Sequence, residues 1–179
     1  MRHSEPAERS LAERVILFPV PEIQISPTIG FDQPWVEQLS RDAWGSEIVI
    51  AHGEIYKPAE LKGFIAEIDR EKVGLITYQI KDGACEIVAL NALKPNLGIG
   101  SALIKHTADF AKQNGCSKLW LITTNDNTRA LRFYQMLGFC LSALRTGAIM
   151  GYRKIKPEIP LTGEDGIPIR DEIELEMNL

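Results

Sequence analysis

Two short stretches carry residue types at spacings that could do chemistry. The first is Asn96-Leu97-Gly98-Ile99-Gly100-Ser101, which follows the apolar run Glu86-Ile87-Val88-Ala89-Leu90 and opens a helical pattern from about Gly98 to Asn114. Strand, glycine turn and helix N-terminus, in that order, gather unpaired backbone N–H groups and a partial positive charge at one point. Glycines let a phosphate approach that backbone closely, so a pyrophosphate is the ligand this stretch suits. The same glycines also make an ordinary tight strand-to-helix turn, and the motif alone does not choose. The second stretch runs from Asn127 to Phe139, where Asn127 and Tyr134 stand seven residues apart. Two helical turns put them on one face. An amphipathic helix with a core tyrosine and a wet hydroxyl has the same pattern.

These residues need elements to hold them. Glu22-Ile23-Gln24-Ile25-Ser26 alternates and predicts a strand, stopped by Pro27. Asp32-Gln33-Pro34 starts a helix with Trp35, Leu39 and Ala43 on its apolar face, and Gly45 ends it. Ser46 to Ala51 predicts a strand, and His52 to Gly63 a loop. A meander follows in Phe64–Ile68, Val73–Ile80 and Cys85–Leu90, with Lys81-Asp82-Gly83 as a hairpin turn. The third of these strands delivers the glycine turn. Lys118 to Thr124 predicts a buried strand, Asn127 to Leu137 a helix stopped by Gly138, and Phe139 to Arg145 another strand. Met150 to Lys156 predicts a helical turn, and 159–168 a loop rich in glycine and proline. Ile169 to Met177 alternates Ile173, Leu175 and Met177 against Glu172, Glu174 and Glu176, as a closing edge strand with one solvated face does. Antiparallel strands first, then strand-helix-strand-helix, predict an α/β (α+β) chain with a mixed sheet.

Composition narrows the class. A chain of 179 residues suits one domain, taken as 22–179, behind an N-terminal arm at 1–21 that docks through Ile16 to Phe18 and has room for a short helix at Glu8 to Arg14. A net charge of −4 argues against broad nucleic-acid binding. Cys85, Cys116 and Cys140 give an odd count without metal-ligand spacing and read as buried reduced thiols. His3, His52 and His106 are too scattered for a metal cluster. No apolar run approaches the ~20 residues of a membrane span. Glu5, Glu8 and Glu13 do not suit a signal peptide, so a cytoplasmic protein is the expectation.

From about Glu22 to Arg145 the sequence resembles the GNAT superfamily of N-acetyltransferases. The strand Glu86 to Leu90, the turn Gly98-Ile99-Gly100 opening a helix, and Asn127…Tyr134 followed by Leu137-Gly138-Phe139 carry the resemblance in the expected order. It implies a mostly antiparallel central sheet with helices on both faces. It implies acetyl-CoA as cosubstrate, with no metal, and a primary amine as acceptor that attacks the thioester directly. The acceptor is a small molecule or a peptide. A non-catalytic CoA-binding or regulatory module on the same fold is the alternative, and a homodimer stays open by analogy. The pyrophosphate would sit on amides of Asn96, Leu97, Gly98, Ile99, Gly100 and Ser101. The pantetheine arm would pair with Val88, Ala89 and Leu90, where the strand splays from Leu119 to Thr123. Asn127 would contact the cofactor, and Tyr134 would lie near the sulfur as general acid. A backbone amide near Leu90 would stabilise the oxyanion. Glu86, on the same strand parity as Val88 and Leu90, is the candidate base. Trp44, Tyr56, Asp126, Glu164 and Asp165 are candidates for the acceptor pocket. Pro95 stands where the family has Gln or Arg and removes one N–H. Leu90 and Ala92 stand where the family has Val and Pro.

Overall fold

A computed structural model describes residues 22–179 of the chain. The expected N-terminal arm, its helix and its docking segment lie outside the described residues. In chain order the elements are β1 (Gln24–Pro27), α1 (Gln33–Trp44), β2 (Val49–Ala51), β3 (Glu54–Tyr56), β4 (Lys62–Ile68), β5 (Glu71–Lys81) and β6 (Ala84–Ala92). There follow α2 (Ile99–Gln113), β7 (Lys118–Thr124), α3 (Thr128–Met136), β8 (Cys140–Arg145), α4 (Ala148–Tyr152) and β9 (Glu172–Asn178). Seven strands form one sheet in the order β1-β4-β5-β6-β7-β9-β8, and only the β6–β7 pair is parallel.

Period-2 alternation along β4 and β5 decides which helix covers which face. Ile65 and Leu75 are partners in the ladder and meet Val36 and Leu39 of α1. Phe64 and Ile76, one step along, meet Ile99 and Leu103 of α2 on the other face. Both helices therefore bury the stripe that their 3.6-residue period predicts. Gly74 lets α2 come close: a Cβ there would stand 2.5 Å from Ile99 Cγ2 and 3.1 Å from Leu103 Cδ1. That approach presses the N-terminus of α2 against the sheet beside the end of β6.

Three expectations are corrected. The last strand is not an edge: β9 inserts between β7 and β8, pairing Leu175 with both Leu121 and Leu141. The edge is β8, largely exposed along its length. Apolar alternation looks the same for an edge strand and for an interior strand near the sheet's rim, so the pattern could not separate them. The glutamates of β9 are accordingly not all solvated, and Glu172 is only 1% exposed. His52 to Gly63 is not all loop. A tight turn at His52 (φ 41°) and Gly53 (φ 87°) folds β3 back on β2 as a separate two-stranded hairpin. Cys140 is exposed on β8, while Cys85 and Cys116 are buried as expected.

Candidate active site

The β6–β7 ladder runs from Ala84↔Lys118 to Ile87↔Leu121 and stops, although β6 continues to Ala92 and β7 to Thr124. The cause lies on the opposite side of β6. Thr77 of β5 pairs with Ala89 and Tyr78 pairs with Ile87, so Val88 is an extra residue, a β-bulge one position past the last parallel pair. A bulge bends its strand and increases the local twist. From Val88 onward, β6 turns away from β7 and leaves backbone groups of Val88 to Leu90 with no partner strand on that side among the described residues. The cleft forms a cavity of about 540 Å³, lined by Val88, Ala89 and Leu90 on one side and by Ile122 to Thr124 on the other.

Asn127 and Tyr134 also line this cavity. Asn127 caps α3, its Oδ1 accepting the Ala130 N–H at 3.1 Å. This capping bond fixes the side chain whether or not a ligand is present. Asn127→Ala should therefore destabilise the protein by about 1 kcal/mol, measured by urea unfolding, whereas Asn127→Ser should keep most of that stability. A matching difference in acetyl-CoA affinity would show that the cap, and not the amide group, matters for the ligand. Tyr134 is 9% exposed and packs edge-on to Phe139, with ring centroids 5.6 Å apart. Burial pushes its phenol above the ordinary tyrosine value.

The glycine turn lies outside the cavity lining. Asn96 (φ 60°) and Gly98 (φ 74°) take left-handed conformations, and Gly98 is the N-cap of α2. The first intrahelical bond joins the Ala102 N–H to the Gly98 carbonyl at 2.9 Å. The amides of Ile99, Gly100 and Ser101 precede that bond and have no intrahelical acceptor. The Ile99 side chain is 1% exposed in the core and fixes the backbone that presents them. A Cβ on Gly100 would stand 3.1 Å from Phe133 Cζ, so this glycine lets α3 close over the start of α2. A free strand edge and a set of helix-terminal amides are the donors and acceptors that a pantetheine arm and a pyrophosphate require. The residues present fit acetyl-CoA on that ground, with Pro95 contributing no N–H.

Glu86 stands elsewhere. The bulge breaks the parity expected from alternation: Glu86 pairs with Gln79 on the α1 face, whereas Leu90 pairs with Ile76 on the α2 face. Glu86 is 2% exposed and both of its carboxylate oxygens are occupied. Oε1 lies 3.0 Å from His52 Nε2, and Oε2 accepts from Gln79 Nε2 at 2.6 Å and from the Tyr56 hydroxyl at 3.3 Å. The same hydroxyl lies 2.8 Å from His52 Nε2. His52 and Glu86 face a second cavity of about 460 Å³, with Glu54, Lys118, Trp120 and Glu174 around it. Their chain neighbours Ala51 and Ile87 line the first cavity, whereas His52 and Glu86 themselves line the second.

Of the expected acceptor residues, Trp44 lines the main cavity. Tyr56 belongs to the Glu86 cluster. Asp126 abuts Gly163 and keeps a buried, unpartnered Oδ1. Glu164 and Asp165 fall in a 3-10 turn spanning Glu164–Gly166. Polar groups that line the cavity beside Trp44 include Tyr152, Lys156, Glu158 and Glu172. Sequence reasoning missed them because Lys156 and Glu172 sit in runs of similar charges and nothing local marks Tyr152 or Glu158. The one available signal was His52-Gly53 between two apolar runs, which marks the hairpin turn that carries His52.

The Acetyltransferase (GNAT) family profile matches residues 29–139. The chain is 40% identical over 152 residues to the uncharacterized protein YxbD of Bacillus subtilis (strain 168), covering 84% of this chain and 96% of that protein. Among solved structures, the IAA acetyltransferase from Bacillus cereus ATCC 14579 matches with a TM-score of 0.72 at 23% identity, over 88% of this chain and 100% of its own. A GNAT family acetyltransferase from Elizabethkingia anophelis with acetyl-CoA bound matches with a TM-score of 0.63 at 24% identity, over 88% of this chain and 98% of its own.

Proposed function

Because the chain belongs to the GNAT acetyltransferase family, we propose that it transfers an acetyl group from acetyl-CoA to a primary amine by direct attack. The observation that carries this reading is the bulge-driven splay of β6 from β7, with Tyr134 on the cavity it opens. Backbone groups of Val88 to Leu90 hold the pantetheine arm as an added strand, and the α2 amides with Asn96 and Leu97 hold the pyrophosphate. The amine nitrogen bonds to the acetyl carbon and the carbon–sulfur bond breaks. A backbone amide near Leu90 stabilises the oxygen on which charge develops. Tyr134 returns a proton to the departing sulfur. The amine proton is taken up by the His52–Glu86 pair. In that pair Glu86 orients the imidazole, and the imidazole is the more accessible partner, with 19% side-chain exposure against 3%.

The test is calorimetric titration with acetyl-CoA followed by thiol release against a panel of amines and peptides. Saturable binding with amine-dependent thiol release is the expected result. Absence of binding at millimolar acetyl-CoA would overturn the reading, and binding without turnover of any amine would reduce the protein to a CoA-binding module.

A further inference from the structure

The acceptor half of the main cavity holds two buried charges of opposite sign, and neither is ion-paired within the described residues. Lys156 is 6% exposed. Its Nζ donates to the Ile48 carbonyl at 2.7 Å, which ties it to the segment between α1 and β2. No carboxylate among the described residues lies within ion-pair distance of it. Burial depresses its pKa, and the exposed Glu158 acts weakly in the other direction. Glu172 is buried more completely. Its Oε1 accepts the His52 backbone N–H at 3.1 Å, and its Oε2 accepts the Tyr152 hydroxyl at 3.0 Å. Both donors are neutral. The cation on the paired residue of β8, Arg145, acts on Glu172 through space but donates its hydrogen bond to Glu174 at 2.7 Å. The remaining walls here are apolar, chiefly Trp44, Val49, Ile50, Ile149 and Ile169.

A buried charge without a directly bonded counter-charge is costly, and a ligand that supplies one relieves that cost. Two such charges of opposite sign in one cavity match a ligand that carries both signs. We propose that the acceptor is a free amino acid with an apolar side chain, its carboxylate on Lys156 and its ammonium drawn toward Glu172 before deprotonation. Apolar walls receive the side chain, and a cavity of about 540 Å³ has room for such a ligand beside the acetyl end of the cofactor. A lone amine would leave Lys156 unanswered, and a peptide N-terminus would present an amide where the carboxylate is needed. The inference rests on the acetyl-transfer reading above and names its substrate.

The experiment compares kcat/KM for apolar amino acids, their decarboxylated amines and their amides, using thiol release from acetyl-CoA. Wild-type protein should prefer the amino acid over its amine and its amide at least tenfold. In Lys156→Met that preference should fall toward one, and Lys156→Arg should retain most of it. Should Lys156→Met fail to fold, wild-type protein still decides the matter. An apolar carboxylic acid lacking the amine should inhibit competitively against the acceptor, and its amide should not. Equal or better use of the decarboxylated amine by wild-type protein would overturn the proposal while acetyl transfer stood. An unchanged preference in a folded Lys156→Met would do the same. Turnover of no amine at all would overturn both readings.

Discussion

Tyr134→Phe is expected to lower kcat by about 10²- to 10⁴-fold, the range of a lost general acid, while acetyl-CoA affinity stays at its wild-type value. The substitution removes one oxygen from a ring held against Phe133 and Phe139, so packing and stability should be preserved. Burial raises the phenol, so it keeps its proton through the neutral and mildly alkaline range and serves as an acid, not a base. A free thiol has a pKa of ~8.5, and protonating its thiolate from a raised phenol would run uphill. The protein's own core shows why that comparison misleads. Burial, with smaller contributions from Cys116 and Glu86, pushes the Cys85 thiol up to about 12. Desolvation in the closed complex would raise the leaving thiolate's basicity in the same sense and narrow that gap. The pH–rate profile should accordingly show no descending limb from Tyr134 below the ordinary tyrosine value of ~10. Stopped-flow thiol release across that range measures it, and a Tyr134→Phe enzyme as fast as wild type would remove Tyr134 from the chemistry.

The architecture was legible wherever local pattern and tertiary role coincide. The glycine turn, the α2 stripe and the Asn127 cap are local signals, and each stands where its sequence places it. The splay was legible only through family resemblance, because the bulge at Val88 leaves no mark on the run Ile87-Val88-Ala89-Leu90. One inserted residue inverts side-chain parity beyond it, which is why Glu86 does not share a face with Leu90. The acceptor pocket was least legible. Its groups arrive from the end of α1, β2, the segment after α4 and β9, joined only by long-range contacts. Glu172 is indistinguishable in sequence from Glu174 and Glu176, and the topology that inserts β9 between β7 and β8 is what buries it.

That same parity inversion makes Glu86 the second decisive position. Glu86→Gln keeps the side chain's shape but turns one oxygen into a donor. With Gln79 Nε2 donating to one oxygen, the new N–H group must face His52 Nε2, where it is satisfied only in the tautomer that leaves Nε2 an acceptor, and otherwise opposes another donor. A buried unsatisfied group costs about 1–3 kcal/mol, so a lower urea midpoint is expected alongside the kinetic effect. The kinetic effect should be larger: kcat/KM should fall by about 10²-fold or more, as for loss of a positioned base. Its signature is the pH profile. A base works when deprotonated, so the wild-type rate rises with pH. Without that pair the amine must shed its own proton, and the ascending limb should move up toward the ordinary alkylammonium range of ~10. The groups that face the pair are Tyr56 and Glu54 from β3, Lys118 from β7, and Glu172 and Glu174 from β9, and none changes in the variant. His52→Gln should reproduce the shifted limb with less loss of stability, because the more exposed partner is removed. A Glu86→Gln enzyme that loses stability but keeps the wild-type pH profile would make the cluster a structural pin for the β2–β3 hairpin and leave the amine to be deprotonated by solvent.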